Sequence, residues 1–519
     1  MLSYRKLAMR VLGRPLHTGG GISSPRPASQ RAAAFALTAA MLITLAAPAF
    51  AETWYIENGD ITVKASGTEG KNTVSQGNKK DVEDTNTIIT NQKTDTASSN
   101  TVTIEAGNDK VEVTLKDVNI DVSKQSKAAV SVTGSGNTTI KLDGDNHLTG
   151  GNGIYSNSRG SLTISGDEND SLTAQGGDSR NGIYSVSGDV TISGGTVTAT
   201  GGNSTSNYGS GGDGIHSGSL TISGGTVTAT GGGSTGSNGL GGRGIYSVSG
   251  DVTISGGTVN ANGGDGKDGS GGGIDSSGSV AISGGTVTAK GGSGEDGGNG
   301  IHSNGVTISG GTVKANGGNG NSGSSNGGNG IISFDHVAIS GGTVNAAGGN
   351  GGNGSRSDVG NGIISSVIDL SGSLELTAKA GSPNGKALSQ AGRELELDTI
   401  KDKLGPGAKV TTTDADGKVI KQVSIPRPVE PEGPVIPEDS SSSSDGGSSA
   451  PSAPVSSIPG LTVTDKSGAV ISYTSTQSGN TLTVCVGRFT ASLRASLSAL
   501  RQLRAEGIET ITFQTILCS

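Results

Sequence analysis

The stretch TISGGTVTATGG fills residues 191–202 and returns letter for letter at 221–232. Close variants begin at residues 253, 281, 307 and 338. Within it, Ile192, Val197 and Ala199 alternate with polar neighbours, the pattern of short strands with one buried face. A Gly-Gly pair separates the two strands, and a second pair opens a loop rich in Gly, Ser, Asn and Asp.

A second motif, G-I-x-S, measures the spacing. Its isoleucines are Ile154, Ile183, Ile215, Ile245, Ile274, Ile301, Ile331 and Ile363, at steps of 29, 32, 30, 29, 27, 30 and 32 residues. Each is followed by a run such as VTIS or VAIS, and in the central repeats by a third such as TVTAT or TVKAN. A period near thirty with three short strands per unit is the signature of a solenoid. The few apolar side chains of one unit cannot offset the entropy of ordering it alone. Stacked, each strand bonds its equivalents about 4.8 Å above and below. The fold expected is therefore all-β: a right-handed parallel β-helix solenoid. A β-sandwich, the alternative, has no cause to repeat one thirty-residue pattern.

Composition agrees. The 519 residues include 93 glycines, with only 30% apolar residues and 3% aromatics. Such a chain supplies a compact core poorly, and the regular placement of its apolar residues excludes simple disorder.

The organisation expected is a signal peptide at 1–51, an N-terminal cap or irregular segment at 52–100, the β-helix at 101–425, a Pro/Ser-rich linker at 426–459 and a small α+β module at 460–519. In the leader, Arg5, Lys6, Arg10, Arg14, Arg26 and Arg31 precede AAAFALTAAMLITLAAP and the A-x-A site Ala49-Phe50-Ala51. The apolar run is short for a membrane span, so export with cleavage is expected, and Met9 is an alternative start. Losing those six positive charges takes the net charge from −8 to −14. An acidic surface disfavours nucleic acid and anionic membrane as partners. Trp54 and Tyr55 are candidates to close the N-terminal end of the column. The linker holds eight of the fourteen prolines. In the last module Leu493, Leu497, Leu500 and Leu503 share one helical face, Gly507 stands at a helix end, and ETITFQT reads as a strand. Cys485 and Cys518 are the two cysteines; their separation leaves pairing open.

The runs VTLKDVNIDV, AAVSVTGSGNTTIKLDGDNHLTG, GNGIYS and SLTISGDENDSLTAQGG resemble those of the secreted clostridial carbohydrate-binding β-helix proteins, over roughly residues 101–380. That resemblance implies a pectate-lyase-like fold, extracellular plant or acidic polysaccharide as partner, and calcium in some members. None of the family's calcium-site residues match positions here.

If the isoleucine of G-I-x-S points inward, x points outward at the same place in each coil. Down the stack x reads Tyr155, Tyr184, His216, Tyr246, Asp275, His302, Ile332 and Ile364. Flat rings in a row with polar partners would suit a sugar chain; the same column could instead be an outward ladder that merely packs. The loops GGDGKD (263–268) and GGSGED (291–296) match the opening of calcium-binding nonapeptide repeats. Asp265, Asp268, Glu295 and Asp296 are accordingly candidate calcium ligands, against a reading as solvated loops whose length varies freely. Thr196, Thr226, Thr258, Thr286, Thr312 and Thr343 form a threonine column of the kind ice binding uses, but Lys314, Asn260 and Asn345 break its neighbour. The repeat's basic residues show no convergence, no paired carboxylate stands out in adjacent coils, and no zinc spacing, catalytic triad or phosphate loop is present. The function expected is secreted or cell-surface, non-catalytic, adhesin-like polysaccharide binding. The alternatives are a structural stalk with binding in the C-terminal module, and a pectate-lyase-like lyase.

Overall fold

The computed structural model describes residues 52–68, 70–321, 323–352 and 360–427, and toward the C-terminus 461–465, 471, 473–478, 480–486, 491–495, 503–504, 508 and 510–515. The expected leader and nearly all of the expected linker lie outside the described residues. The chain divides into two units, Met1–Val429 and Glu430–Ser519.

The first unit is a parallel β-solenoid of about twelve coils. The first and second runs of each repeat belong to one 25-stranded sheet, and the third runs belong to a 12-stranded sheet. Register is kept from coil to coil. The ruler isoleucines pair in sequence from Ile154 to Ile363. In the facing sheet Val197, Val227, Val259, Val287, Val313 and Val344 do the same. All of these are at most 1% exposed, so one column of aliphatic side chains fills the space between the sheets.

The corners are set by small residues. The serine of G-I-x-S points inward, and in three coils its hydroxyl donates to the carbonyl of its own turn: Ser185 to Gly188 (2.8 Å), Ser247 to Gly250 (2.7 Å) and Ser303 to Gly305 (2.8 Å). In S-G-G-T the second glycine takes φ of 74–79° at Gly195, Gly225, Gly257, Gly285, Gly311 and Gly342, the left-handed region where L side chains are strained.

The loops join the stack. The glycine pair leaving the third run and the pair leading back to the ruler interleave, so that each coil adds two levels to a second, all-glycine ladder. Backbone N–H groups donate from Gly212 to Gly202, Gly232 to Gly212, Gly242 to Gly232, Gly264 to Gly242 and Gly271 to Gly264, and so on to Gly349 and Gly328, at 2.8–3.0 Å. A Cβ on Gly242 would overlap the carbonyl oxygen of Gly212, and one on Gly271 that of Gly242. This close approach accounts for much of the glycine content. It also corrects the expectation of loops free of the stack: only the segment beyond each glycine stem varies in length. Even there Gly266–Gly269 pairs in parallel with Gly294–Asp296.

Antiparallel strands close both ends. At the N-terminal end Ile61–Ala65, Asn72–Gln76 and Lys79–Asp84 form a meander, whose first strand pairs in parallel with Val102–Glu105. Trp54 is 1% exposed, and its indole N–H donates to the fully buried Asp84 carboxylate at 2.8 Å. Tyr55, next along the strand, faces outward, so of the two aromatic residues only Trp54 enters the core, beside Ile61, Val63 and Val74. At the other end Arg393–Glu394 pairs with Leu388–Gln390, and Val419–Ser424 with Lys409–Thr413, both antiparallel. Open strand edges invite pairing with other chains, and these hairpins terminate them.

In the second unit Leu461–Asp465 pairs with Ala491–Ala495, and Thr481–Val486 pairs with both Thr474–Ser478 and Thr510–Thr515. The helical face expected through Leu493 is not formed there. Leu493 lies in a strand opposite Val463, where Ala491, Leu493 and Ala495 pack on the unit's core with a period of two. Leu503 sits in a helical segment; Leu497, Leu500 and Gly507 lie outside the described residues. Cys485 is disulfide-bonded, and Cys518 lies outside the described residues. Among the described residues no helix is long and apolar enough to cross a membrane.

The glycine ladder yields a direct prediction. Gly242→Ala should lower unfolding stability by about 2–3 kcal/mol through overpacking. Gly323→Ala, where a Cβ would meet nothing within 4 Å, should stay within about 0.5 kcal/mol. Urea unfolding of the two variants checks the difference.

Candidate functional site

The outward residues of G-I-x-S stand in register on the larger sheet: Tyr155, Tyr184, His216, Tyr246, Asp275, His302, Ile332 and Ile364 are each paired with the next. All eight are half-buried. The expected row of flat rings is modified by packing. Tyr155 and Tyr184 are tilted by 49° with centroids 5.7 Å apart; Tyr184 meets His216 at 81° and 4.7 Å, and His216 meets Tyr246 at 87° and 4.9 Å. The strand spacing of about 4.8 Å sets the ring separation, and at that distance the ring quadrupoles prefer edge to face over a face-to-face sandwich. The line is continuous, but alternate rings are turned.

Beside it runs a ladder that sequence reading missed. Two residues before each ruler isoleucine, a side-chain oxygen accepts the backbone N–H of the equivalent residue one coil on. Asn152 caps Asn181 (2.9 Å), Asn181 caps Asp213 (2.6 Å) and Asp213 caps Arg243 (2.8 Å). Further along, Asn299 caps Asn329 (2.8 Å), Asn329 caps Asn361 (2.9 Å) and Asn361 caps Lys386 (2.7 Å). The recurring N-G-I was the available signal. The ladder breaks at Arg243 and Gly272, and there the ring line also departs from its pattern, at Asp275.

At the break, charged groups converge. The Arg243 Nε donates to Asp275 Oδ2 at 2.6 Å, and its guanidinium carbon lies 4.1 Å from the centroid of Tyr246. The other Asp275 oxygen is 2.6 Å from His302 Nδ1. Asp213 Oδ2 is 2.9 Å from His216 Nδ1. The Asp213 and Asp275 side chains are 11% and 15% exposed. Gly272 leaves the room that this needs, since a Cβ there would come 3.3 Å from Asp275 Oδ2. Two carboxylates thus flank one guanidinium across three coils, a convergence that the sequence did not reveal because the residues are 30 and 32 positions apart. Burial alone would raise the Asp275 pKa, but the His302 hydrogen bond and the Arg243 charge outweigh it and hold the carboxyl below its ordinary range. Burial likewise opposes the Arg243 charge, and Asp275 and Asp213 overcome it, raising its pKa.

The ring line also continues past Asp275. Phe334, 64% exposed, sets its ring 5.2 Å from that of His302 at 73°. It occupies a bulge: between Ser333 and His336 the strand carries one residue more than its partner between Ser303 and Gly305. Phe334 is therefore off the ruler, which hid it from sequence reading.

The candidate calcium residues are placed differently. Asp265 accepts the backbone N–H of Ser293 at 2.7 Å, and Asp296 accepts the backbone and side-chain N–H groups of Asn326 at 2.9 and 2.8 Å. In this Asp265 does what Asn203 does for Gly233 (2.8 Å) and Asn319 for Asn350 (2.9 Å); it is a member of a second capping ladder. Asp268 and Glu295 are exposed. Among the described residues no three His, Cys, Asp or Glu side chains gather where they could hold a metal ion, so these four are not brought together. The threonine column lies in register on the smaller sheet, from Thr196 to Thr343, with Lys314 and Asn345 beside it.

The clasp on Asp275 has a pH signature. Its folded pKa is depressed, so its contribution to stability is full above the unfolded pKa and is lost as pH falls through the folded one. Asp275→Asn should cost about 2 kcal/mol at neutral pH. Its deficit relative to the unmodified chain should shrink as pH drops below the ordinary carboxylate range. Melting curves of both proteins at stepped pH check this.

A family model described as beta helix repeat matches residues 190–219, 220–242, 252–274, 280–305 and 306–331. No curated protein and no solved structure is significantly similar to the chain. With the register described above, the repeat match identifies a parallel β-helix protein.

Proposed function

We propose that this β-helix protein is exported and binds polysaccharide without transforming it, in the manner of a surface adhesin, along the line from Tyr155 to Phe334. The observation that carries the reading is the concentration of rings. A chain with seven tyrosines and five histidines places three of the first and two of the second at one strand position, in register, beside a pre-formed charged cluster. Aromatic faces take up the apolar faces of sugar rings, and a few fixed polar groups give orientation. Local departures from an otherwise strict repeat, here Arg243, Gly272 and Asp275, are where function is expected to override pattern.

The alternative stalk reading puts binding in the C-terminal unit, and the lyase reading would use Arg243 or a histidine as base. One set of measurements separates the three. Tyr184→Ala with Tyr246→Ala should reduce retention on immobilised glycan by roughly tenfold or more, the loss of a few stacking contacts, while the melting transition stays cooperative. Unchanged retention favours the stalk. Growth of absorbance from unsaturated uronides during incubation with pectin favours the lyase; none is expected, with or without calcium.

A further inference from the structure

We infer that the chain bound on this line is an uncharged, hydroxyl-rich polysaccharide taken up without a metal bridge. The inference rests on the proposed polysaccharide reading and narrows it. The first ground is charge. From residue 154 to 370 the outward positions of the larger sheet hold Tyr, His, Asp and Ile on the ring line, and Thr163, Thr191, Thr221, Thr253, Ala281, Thr307, Ala338 and Asp369 on the adjacent column. Neither column holds a lysine or arginine. Bordering them, Asp189, Asp251 and Asp335 stand in the turns, and Asp213 stands in the capping ladder. The cations are Arg159, in a turn at the first of these coils, Arg180, exposed beside the ladder residue Asn181, and Arg243. The charge of Arg243 is taken by Asp275, with Asp213 on its other side. A polyuronate or sulfated chain laid here would meet carboxylates along its length and find unpaired guanidiniums, those of Arg159 and Arg180, only toward the first coils.

The second ground is hydrogen-bond polarity. A carboxylate only accepts, so His216 and His302 each place a proton on Nδ1 toward Asp213 and Asp275. Both carboxylates keep lone pairs beyond these contacts. Sugar hydroxyls can donate to all of these. A uronate carboxylate can donate to none. The tyrosine rings between them offer contact that is indifferent to ligand charge.

The test uses the full chain and a panel of soluble polymers in affinity electrophoresis: neutral β-glucan, xylan and galactomannan, against polygalacturonate and alginate, each at low and high salt, with calcium or with chelator. The expected result is retention by at least one neutral polymer that survives chelator and high salt, with no retention by the acidic ones. Retention by polygalacturonate or alginate alone would overturn the inference while leaving polysaccharide binding standing. Retention by no polymer would remove the underlying reading and this one with it. Asp213→Asn with Asp275→Asn frees Arg243 and turns the local balance from −1 to +1. It should weaken neutral retention roughly tenfold, the worth of one charge-assisted hydrogen bond, and gain low-salt retention on polygalacturonate. A double variant that binds the acidic polymer no better than the unmodified chain counts against the charge argument.

Discussion

Everything in the solenoid depends on backbone hydrogen bonds between residues one coil apart, in constant register. Parallel strands about 4.8 Å apart cannot pair this way unless each coil repeats the shape of the last. The constraint reaches every class of residue. Strand positions facing the core stay aliphatic apart from the corner serines, and the glycine after the second run must keep a positive φ from Gly195 to Gly342. The loop stems obey it with a denser packing than the strands, two glycine levels per coil between Gly202 and Gly349. No side chain fits there, and so the glycine content is a packing requirement at these stems and a conformational one at the corners.

A structure this repetitive supplies its own internal control. Seven equivalents of a position show what the fold requires of it, and any exception must have another cause. The capping ladder is asparagine or aspartate at 152, 181, 213, 299, 329 and 361, because a short side-chain oxygen bridges to the next backbone N–H. Arg243 and Gly272 forgo that bridge in consecutive coils. The stability they forfeit is offset in part by the Arg243–Asp275–His302 contacts, which Gly272 leaves uncrowded and for which Asp275 replaces a ring. Three coordinated departures are more than drift in a single position would produce. They define the middle of the ring line as its most specialised part.

Much of this architecture was legible in the sequence, and the illegible parts share a physical origin. The ruler isoleucines and the alternating runs gave the sheet faces and the register, since period-two patterning and a near-constant step leave little freedom. The outward column followed from the ruler alone. What did not follow was anything that depends on side chains meeting across coils. The edge-to-face turns of Tyr184, His216 and Tyr246 come from the quadrupoles of neighbouring rings. The convergence of Asp213, Arg243 and Asp275 joins residues 30 and 32 positions apart, and only the folded register makes them adjacent. Phe334 escaped because one extra residue in a bulge shifts it off the ruler. Asp265 is a candidate metal ligand by its loop, which spells G-G-x-G-x-D and also fits a solvated loop, whereas its hydrogen bond to Ser293 makes it an equivalent of Asn203. The helix expected through Leu493 failed because ASLRA satisfies a period of two as well as a longer period, and pairing with Leu461–Asp465 decides between them.

The open surface of a β-helix sets a particular problem for recognition. It has no cleft to exclude water, so a polar group there gains little unless it is already fixed in place. The ring line meets this condition in two ways. Edge-to-face contacts among Tyr184, His216 and Tyr246 restrict these rings before any ligand arrives. The carboxylates of Asp213 and Asp275, nearly covered and tied to Arg243, hold both imidazoles by Nδ1 and leave only Nε2 to vary in partner. A face built in this way loses little conformational entropy on binding. Because the strand spacing repeats along the rod, such a face suits a long, regular ligand better than a small one.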